Sequence, residues 1–192
     1  MIVGVLSVQG AVSEHLKHLE RCAVETAAVK NIESLNKISG LIIPGGESTT
    51  IGKLLEIFGL AEAIRRRSLQ ENLAVFGTCA GMVLMAREIM DGIKGQPKLA
   101  LMDISVQRNA FGRQRESFET ELEFDSFDSP LTAVFIRAPL IAKSGPGVEV
   151  LARVPEGIVA ARQGNLLTTS FHPELTDDLR VHQYFIEMCR NI

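Results

Sequence analysis

Along the first half of the chain, short runs dense in β-branched and aliphatic residues alternate with stretches whose apolar residues recur at helical spacing. Ile2-Val3-Gly4-Val5-Leu6-Ser7-Val8 is nearly continuous in apolar residues, as a strand covered on both faces must be. Val12, Leu16 and Leu19 then follow helical spacing. Val24 to Val29 reads as a second strand and Gly40 to Ile43 as a third, stopped by Pro44-Gly45-Gly46. Ile51, Leu54, Leu55 and Phe58 fall at i, i+3, i+4 and i+7, which predicts a helix. Leu73 to Phe76 is a fourth strand that runs into Gly77-Thr78-Cys79-Ala80-Gly81, where another helix starts. This βαβαβ order predicts an α/β fold, a three-layer sandwich with a mostly parallel central sheet.

The second half differs. From Leu99 to Val154 the runs are shorter and more strand-like, with turn signals at Asn109, Phe127-Asp128-Ser129-Pro130 and Ser144-Gly145-Pro146-Gly147. Additional antiparallel strands that extend or flank the sheet are expected there. Gly157 to Arg162 and Leu166 to Phe171 read as a closing hairpin, and a final helix carries Val181, Tyr184, Phe185 and Met188 on one face. With 192 residues and no repeat, low-complexity tract or long linker, residues 1–192 read as a single domain.

Composition excludes several classes of function. A net charge of −3 lacks the basic surplus of a general nucleic-acid binder. The one tight basic run, Arg65-Arg66-Arg67, reads as a solvated helix face. Cys22, Cys79 and Cys189 make an odd count without a CxxC pair, which points to a reducing compartment rather than a disulfide or zinc framework. The first residues resemble a buried strand rather than a leader peptide. No apolar run approaches the roughly 20 residues that a spanning helix needs. The expectation is a cytoplasmic protein without a membrane segment.

Gly77-Thr78-Cys79-Ala80-Gly81 has the G-x-nucleophile-x-G form of a strand-to-helix elbow. Such a turn strains its central residue, and glycines two positions to either side relieve the crowding. The Cys79 side chain then projects beside a helix N-terminus, where the helix dipole favours a thiolate. Cys22 and Cys189 lack this context and read as packing residues. A nucleophile of this kind needs a base. His172 opens His172-Pro173-Glu174 at the end of a predicted strand, and Pro173 biases it toward extended backbone. In an extended segment Glu174 shares its side, so that the carboxylate reaches one imidazole nitrogen and leaves the other for the thiol. His15 and His18, beside Glu14, show a spacing open to a metal pair, but no further ligands with metal-site spacing follow. Solvent exposure or a partner contact is the expectation for them, and a place on the final helix's surface for His182. Pro44-Gly45-Gly46-Glu47-Ser48 leaves backbone N–H groups unobstructed, so Gly46 and Ala80 are candidate oxyanion donors. Ser48 or Thr49 is the expected cap of the helix that follows.

These motifs resemble the class I, triad-type glutamine amidotransferases, whose fold is flavodoxin-like. Val8-Gln9-Gly10-Ala11-Val12 with Glu14-His15, Pro44 through Thr50, Gly77 through Met82, Arg108-Asn109-Ala110-Phe111-Gly112-Arg113-Gln114, Ile136-Arg137-Ala138-Pro139 and Phe171 through Leu175 narrow the resemblance. They are similar to the branch formed by glutaminase subunits of pyridoxal 5′-phosphate synthases, over nearly the whole chain. Met82 stands where many sister families have Gln, which favours this branch. The resemblance implies hydrolysis of the L-glutamine side-chain amide to glutamate and ammonia through a Cys79-His172-Glu174 triad. It implies Gly46 and Ala80 as oxyanion donors and Gly46, Glu47, Ser48, Arg108, Ile136 and Arg137 as substrate contacts. Gln9 falls near the site and the subunit interface. The implied partner is a synthase subunit with a (β/α)8 barrel, in a large hetero-oligomer on a dodecameric core. No metal or bound cofactor is implied for this chain. The resemblance and the flexible Gly45-Gly46 pair together suggest that the free subunit is poorly active until its partner orients that peptide. A cysteine-elbow protein of the stress or deglycase type and a non-catalytic interaction subunit are the alternatives, and the His172-Pro173-Glu174 motif argues against the first.

Overall fold

The computed structural model describes residues 1–93, 95–111 and 117–191. In chain order the elements are β1 (Ile2–Leu6), α1 (Val12–Arg21), β2 (Glu25–Val29), α2 (Ile32–Leu35), β3 (Gly40–Ile43), α3 (Ser48–Ile57), α4 (Leu60–Gln70), β4 (Ala74–Thr78) and α5 (Ala80–Met85). There follow β5 (Ala86–Ile89), β6 (Met102–Gln107), β7 (Ser117–Leu122), β8 (Leu131–Ile136), β9 (Leu140–Ser144), β10 (Glu149–Val154), β11 (Gly157–Gln163), β12 (Leu166–Thr169), a 3₁₀ turn at Pro173–Leu175, and α6 (Arg180–Arg190). One ten-stranded sheet runs β2-β1-β3-β4-β12-β11-β9-β6-β5, with β10 paired to β11, and β7 and β8 form a separate hairpin.

The predicted division of the chain has a structural counterpart. From β2 to β12 neighbouring strands are parallel. Beyond β12 the pairs β12–β11, β11–β9 and β9–β6 are antiparallel. The expected closing hairpin is β11–β12, whose second strand inserts beside β4. Alternate residues of the parallel strands feed opposite faces, which gives the sandwich its layers. Leu41, Ile43 and Val75 pack with Leu35, Ile51, Leu55, Leu60 and Ile64 from α2, α3 and α4. Val3, Val5, Ile42 and Phe76 pack with Leu19 of α1 and with Val181, Phe185 and Met188 of α6. Both faces are apolar, so the strands could not show the hydrophobic-polar alternation of a half-exposed sheet. No helix among the described residues is long and apolar enough to cross a membrane.

Phe58, the last residue at helical spacing, is half-exposed just past the end of α3, whereas Ile51 and Leu55 are buried. One surface expectation is corrected. The arginine run on α4 is not a uniformly solvated face. Arg66 is exposed, but Arg65 Nε donates to the Leu99 carbonyl at 3.0 Å. Arg67 donates to the carbonyls of Leu35 and Ile38 and to Glu71, with its side chain mostly covered. Guanidinium forks bond backbone carbonyls at the end of α2 and in loops, a tertiary role that charge patterning alone does not reveal. Replacing Arg67 with methionine keeps the stem and strips the donors. The expected loss is about 1–3 kcal/mol of stability, read by denaturant unfolding.

Candidate active site

Three neighbouring parallel strands bring the site together. The carboxyl ends of β3, β4 and β12 lie side by side, with Ile43 opposite Gly77 and Thr78 opposite Thr169. The loops that leave them therefore share one edge of the sheet, where α/β folds place their ligands.

At the end of β4, Cys79 adopts φ 48 and ψ −99, a positive-φ conformation for a non-glycine residue, as the elbow motif requires. Its N–H donates to the Thr169 carbonyl at 2.8 Å, which locks the elbow to β12. A side chain at Gly81 would overlap the Ile43 carbonyl, so the turn lies directly on β3. The Cys79 thiol is 9% exposed, and its sulfur is 3.9 Å from the Ile136 carbonyl.

His172 follows β12, and its N–H donates to the Val134 carbonyl of β8 at 2.8 Å. The Cys79 side chain is near enough to the ring to raise its pKa. Ring Nδ1 is 2.7 Å from Glu174 Oε1. The predicted pairing with Glu174 is present, but the backbone route to it differs. Pro173–Leu175 is a 3₁₀ turn with proline in its first turn, not an extended segment. Proline lacks the N–H that a first helical residue would leave unbonded anyway, so it starts such a turn without cost. The turn, rather than strand pleating, brings Glu174 back against the ring.

The Gly-Gly loop after β3 approaches from the third side. A Cβ on Gly45 would strike the His172 ring, so this position is restricted to glycine by contact. The Gly45 carbonyl accepts from Ala11 N–H at 3.1 Å, and because a trans peptide opposes its C=O and N–H, the Gly46 N–H points the other way. Gln9 Oε1 accepts from Glu47 N–H at 2.9 Å, so Gln9 braces this loop. The cap of α3 is Glu47, not Ser48 or Thr49. Its carboxylate accepts from the N–H groups of Thr49 and Thr50 at 3.0 and 2.7 Å. The longer acid reaches over the first turn, where unpaired N–H groups favour negative charge. Partial burial opposes ionisation, but these hydrogen bonds outweigh it and hold the Glu47 carboxyl below its ordinary value.

Gly46, Glu47, Ser48, Cys79 and Ala80 line an open pocket together with Arg108, Ile136 and Arg137. His172 and Glu174 do not line it. Arg108 is tethered to Asp91 through its backbone N–H at 3.0 Å and its guanidinium at 2.9 Å. Arg137 has φ 43, which turns the chain sharply at the end of β8. Gly112, Arg113 and Gln114, part of the sequence resemblance, lie outside the described residues.

His15, His18 and His182 depart most from expectation. None is a surface residue: His15 and His182 are fully buried and His18 nearly so. His15 Nδ1 is 2.9 Å from His182 Nε2, and its Nε2 lies 3.2 Å from Thr78 Oγ1 and 3.4 Å from Glu174 Oε2. His18 Nδ1 and Nε2 lie 3.1 and 2.8 Å from the carbonyls of Glu14 and Thr176. The ring nitrogens that a metal pair would need are thus engaged in hydrogen bonds. A signal for this burial was present: His15 lies three residues after Val12 and four before Leu19, on the inward stripe of α1. His182 precedes Phe185, Ile186 and Cys189 on the same basis.

Electrostatics divide these rings into two kinds. Burial works against a charged His172, but hydrogen bonds and charges of Cys79 and Glu174 outweigh it and raise its pKa to about 10. Burial also opposes ionisation of Glu174, yet the neighbouring His15 and His172 hold its carboxyl below the ordinary value. His15 is pushed down to about 4, chiefly by burial and against the pull of Glu174, and His182 is lowered in the same way. The His15 shift makes stability depend on pH. From pH 6.5 down to about 4 the unfolded chain takes up a proton that the folded His15 refuses, so stability falls as pH drops through that window. This group alone accounts for a loss of up to about 3 kcal/mol. Denaturant unfolding at pH 7 and at pH 4.5 should show a smaller loss in His15→Leu than in the parent chain.

Residues 5–191 match the model of the SNO glutamine amidotransferase family. The chain is 59% identical to the pyridoxal 5′-phosphate synthase subunit PdxT of Pelotomaculum thermopropionicum, over 98% of this chain and 95% of that protein. It is 55% identical to the PdxT of Carboxydothermus hydrogenoformans over the full length of both. A crystal structure of a glutamine amidotransferase superposes with a TM-score of 0.94 at 48% identity, covering 99% of this chain and all of that one. The structure of PurLQS from Thermotoga maritima, at 15% identity and a TM-score of 0.68 over 97% of each chain, shares the fold.

Proposed function

The chain belongs to the SNO glutamine amidotransferase family, and we propose that it is the glutaminase subunit of a pyridoxal 5′-phosphate synthase, cleaving L-glutamine with Cys79, His172 and Glu174. The observation that carries this reading is the pairing of His172 Nδ1 with Glu174 Oε1 at 2.7 Å, on a ring whose pKa the Cys79 side chain raises, with Cys79 itself at the wall of an open pocket.

Glutamine enters with its side-chain amide against the sulfur. Its charged ends are served by the Gly46-Glu47-Ser48 loop and by Arg108, Ile136 and Arg137. The sulfur attacks as a thiolate while its proton rests on His172. The carboxamide oxygen gathers negative charge beside the N–H groups of Gly46 and Ala80. His172, cationic at neutral pH, then protonates the departing nitrogen and releases ammonia, leaving a glutamyl thioester. Acylation removes the negative sulfur that helped to raise the pKa of His172, so the imidazole gives up its proton more readily in this state. It can then act as the base that activates water against the thioester. Glu174 holds the ring and stabilises its charge throughout.

The partner is a synthase subunit that takes up the ammonia. A (β/α)8 barrel for that subunit and a dodecameric core for the assembly belong to the same proposal. Partner dependence is located in the Gly45-Gly46 peptide, whose present orientation is held by Ala11 N–H. Turning it over would break that bond. Ammonia release from glutamine, measured with and without the synthase subunit, tests both statements. Release that rises sharply on adding the synthase supports them. Equal rates overturn the dependence, and no release in the complex overturns the glutaminase reading.

A further inference from the structure

We propose that His15 is a positioning residue for this site, presenting one N–H to the second oxygen of the Glu174 carboxylate and so fixing that carboxylate for His172. The inference rests on the glutaminase reading above.

Glu174 is almost fully buried, and only one of its oxygens is bonded to the catalytic ring. The other, Oε2, is buried without a hydrogen-bond partner and lies 3.4 Å from His15 Nε2. That nitrogen is also 3.2 Å from Thr78 Oγ1, with which it meets hydrogen-bond geometry, so the hydroxyl and the carboxylate oxygen are its two polar neighbours. At 3.4 Å the contact is longer than a formed hydrogen bond, and a small shift of the carboxylate closes it.

The tautomers follow by counting donors. His15 Nδ1 and His182 Nε2 are 2.9 Å apart, so one must donate and the other accept. If His182 Nε2–H donates, His15 carries its hydrogen on Nε2, facing the anion. The cost is one unpaired acceptor, His182 Nδ1, which indeed has no partner. If His15 Nδ1–H donates instead, the His15 Nε2 lone pair can accept from the Thr78 hydroxyl but still lies against the carboxylate, and His182 Nδ1–H becomes a buried donor with nothing to bond. The second arrangement adds an electrostatic repulsion to an orphaned donor in a desolvated interior, so the first prevails. A line of donation then runs His182 → His15 → Glu174 ← His172, with the sulfur beyond.

A neutral ring suits this position. A cation at His15 would compete with His172 for the single negative charge of Glu174, whereas a neutral N–H aligns the carboxylate and leaves that charge available. The groups facing His15 are Glu174 from the 3₁₀ turn, His172 just before it, Glu14 and His18 on α1, and His182 on α6. Burial keeps His15 neutral among them.

Nitrogen-15 NMR of the histidines in the whole chain at pH 7 tests the tautomer directly. His15 should carry hydrogen on Nε2 and none on Nδ1, and the reverse overturns the proposal. Glutaminase kinetics in the complex with the synthase subunit supply the functional arm. His15→Leu should lower kcat by about ten- to a hundred-fold with KM changed by less than about twofold. It should also move the alkaline limb of the pH profile to lower pH, because a loosened carboxylate supports the His172 cation less. His15→Gln, whose amide offers an N–H near the same point, should restore most of both. A folded His15→Leu with parental kcat and pH profile overturns the proposal, as does equal impairment in both variants. If His15→Leu does not fold, the tautomer measurement on the parent chain decides. A parent complex that releases no ammonia defeats the glutaminase reading instead, which the NMR result does not touch.

Discussion

Replacing Cys79 with alanine is expected to leave the fold intact and to lower glutamine hydrolysis in the synthase complex by at least about 10⁴-fold. The thiol is nearly buried, but it sits at the wall of a pocket and supports no part of the core, so its loss opens no enclosed cavity. Alanine keeps the Cβ that shapes the elbow and bears the same positive φ. Stability should therefore stay within about 1 kcal/mol of the parent chain. No other thiol can substitute, since Cys22 lies at the end of α1 and Cys189 on α6. Ammonia release and a denaturation midpoint, measured on the same preparation, separate loss of chemistry from loss of fold. Full turnover in the variant would remove the proposed nucleophile.

Glu174→Gln has the second-largest expected effect, a fall of about 10³–10⁴-fold in kcat with little change in KM. The amide has nearly the same shape as the carboxylate but lacks its charge, and it can offer an oxygen to only one of the two histidines that face it. His172 loses one of the influences that raise it to about 10, so its pKa falls toward the ordinary histidine value. The alkaline limb of the pH profile should move down accordingly. Glutamine kinetics across pH 6 to pH 10 would reveal both changes, and an unshifted limb with parental kcat would contradict the role assigned to Glu174.

The parts of this fold legible in the sequence were those in which local chemistry and tertiary role coincide. β1, β3 and β4 are covered on both faces, so their apolar runs need no partner to interpret. Cys79 stands between glycines whose absence of side chains is a steric demand of the turn itself. His172 was singled out by the proline and glutamate that follow it, although the segment from Pro173 to Leu175, read as continuing the extended chain, is a 3₁₀ turn. The choice between those conformations depends on what packs around the segment, including the Val134 carbonyl of a hairpin distant in sequence. The buried histidines were missed for a related reason. Residue type favours the surface, while their place on the apolar stripes of α1 and α6 favours the interior, and only the facing partners decide. His15 finds Thr78, Glu174 and His182, residues from three other parts of the chain. Arg67 carries the same lesson: it serves backbone carbonyls brought to it only once the fold is assembled.

The most direct measurement of the central claim is covalent labelling, in the synthase complex, by an electrophile that mimics glutamine, with the modified peptide identified by mass spectrometry and residual glutaminase activity followed in parallel. The other two thiols are poor competitors: burial pushes Cys189 up to about 12 and also raises Cys22. The account predicts one adduct, on Cys79, formed in step with the loss of ammonia release. An adduct on Cys22 or Cys189 with Cys79 untouched, or turnover that persists once Cys79 is fully modified, would contradict it.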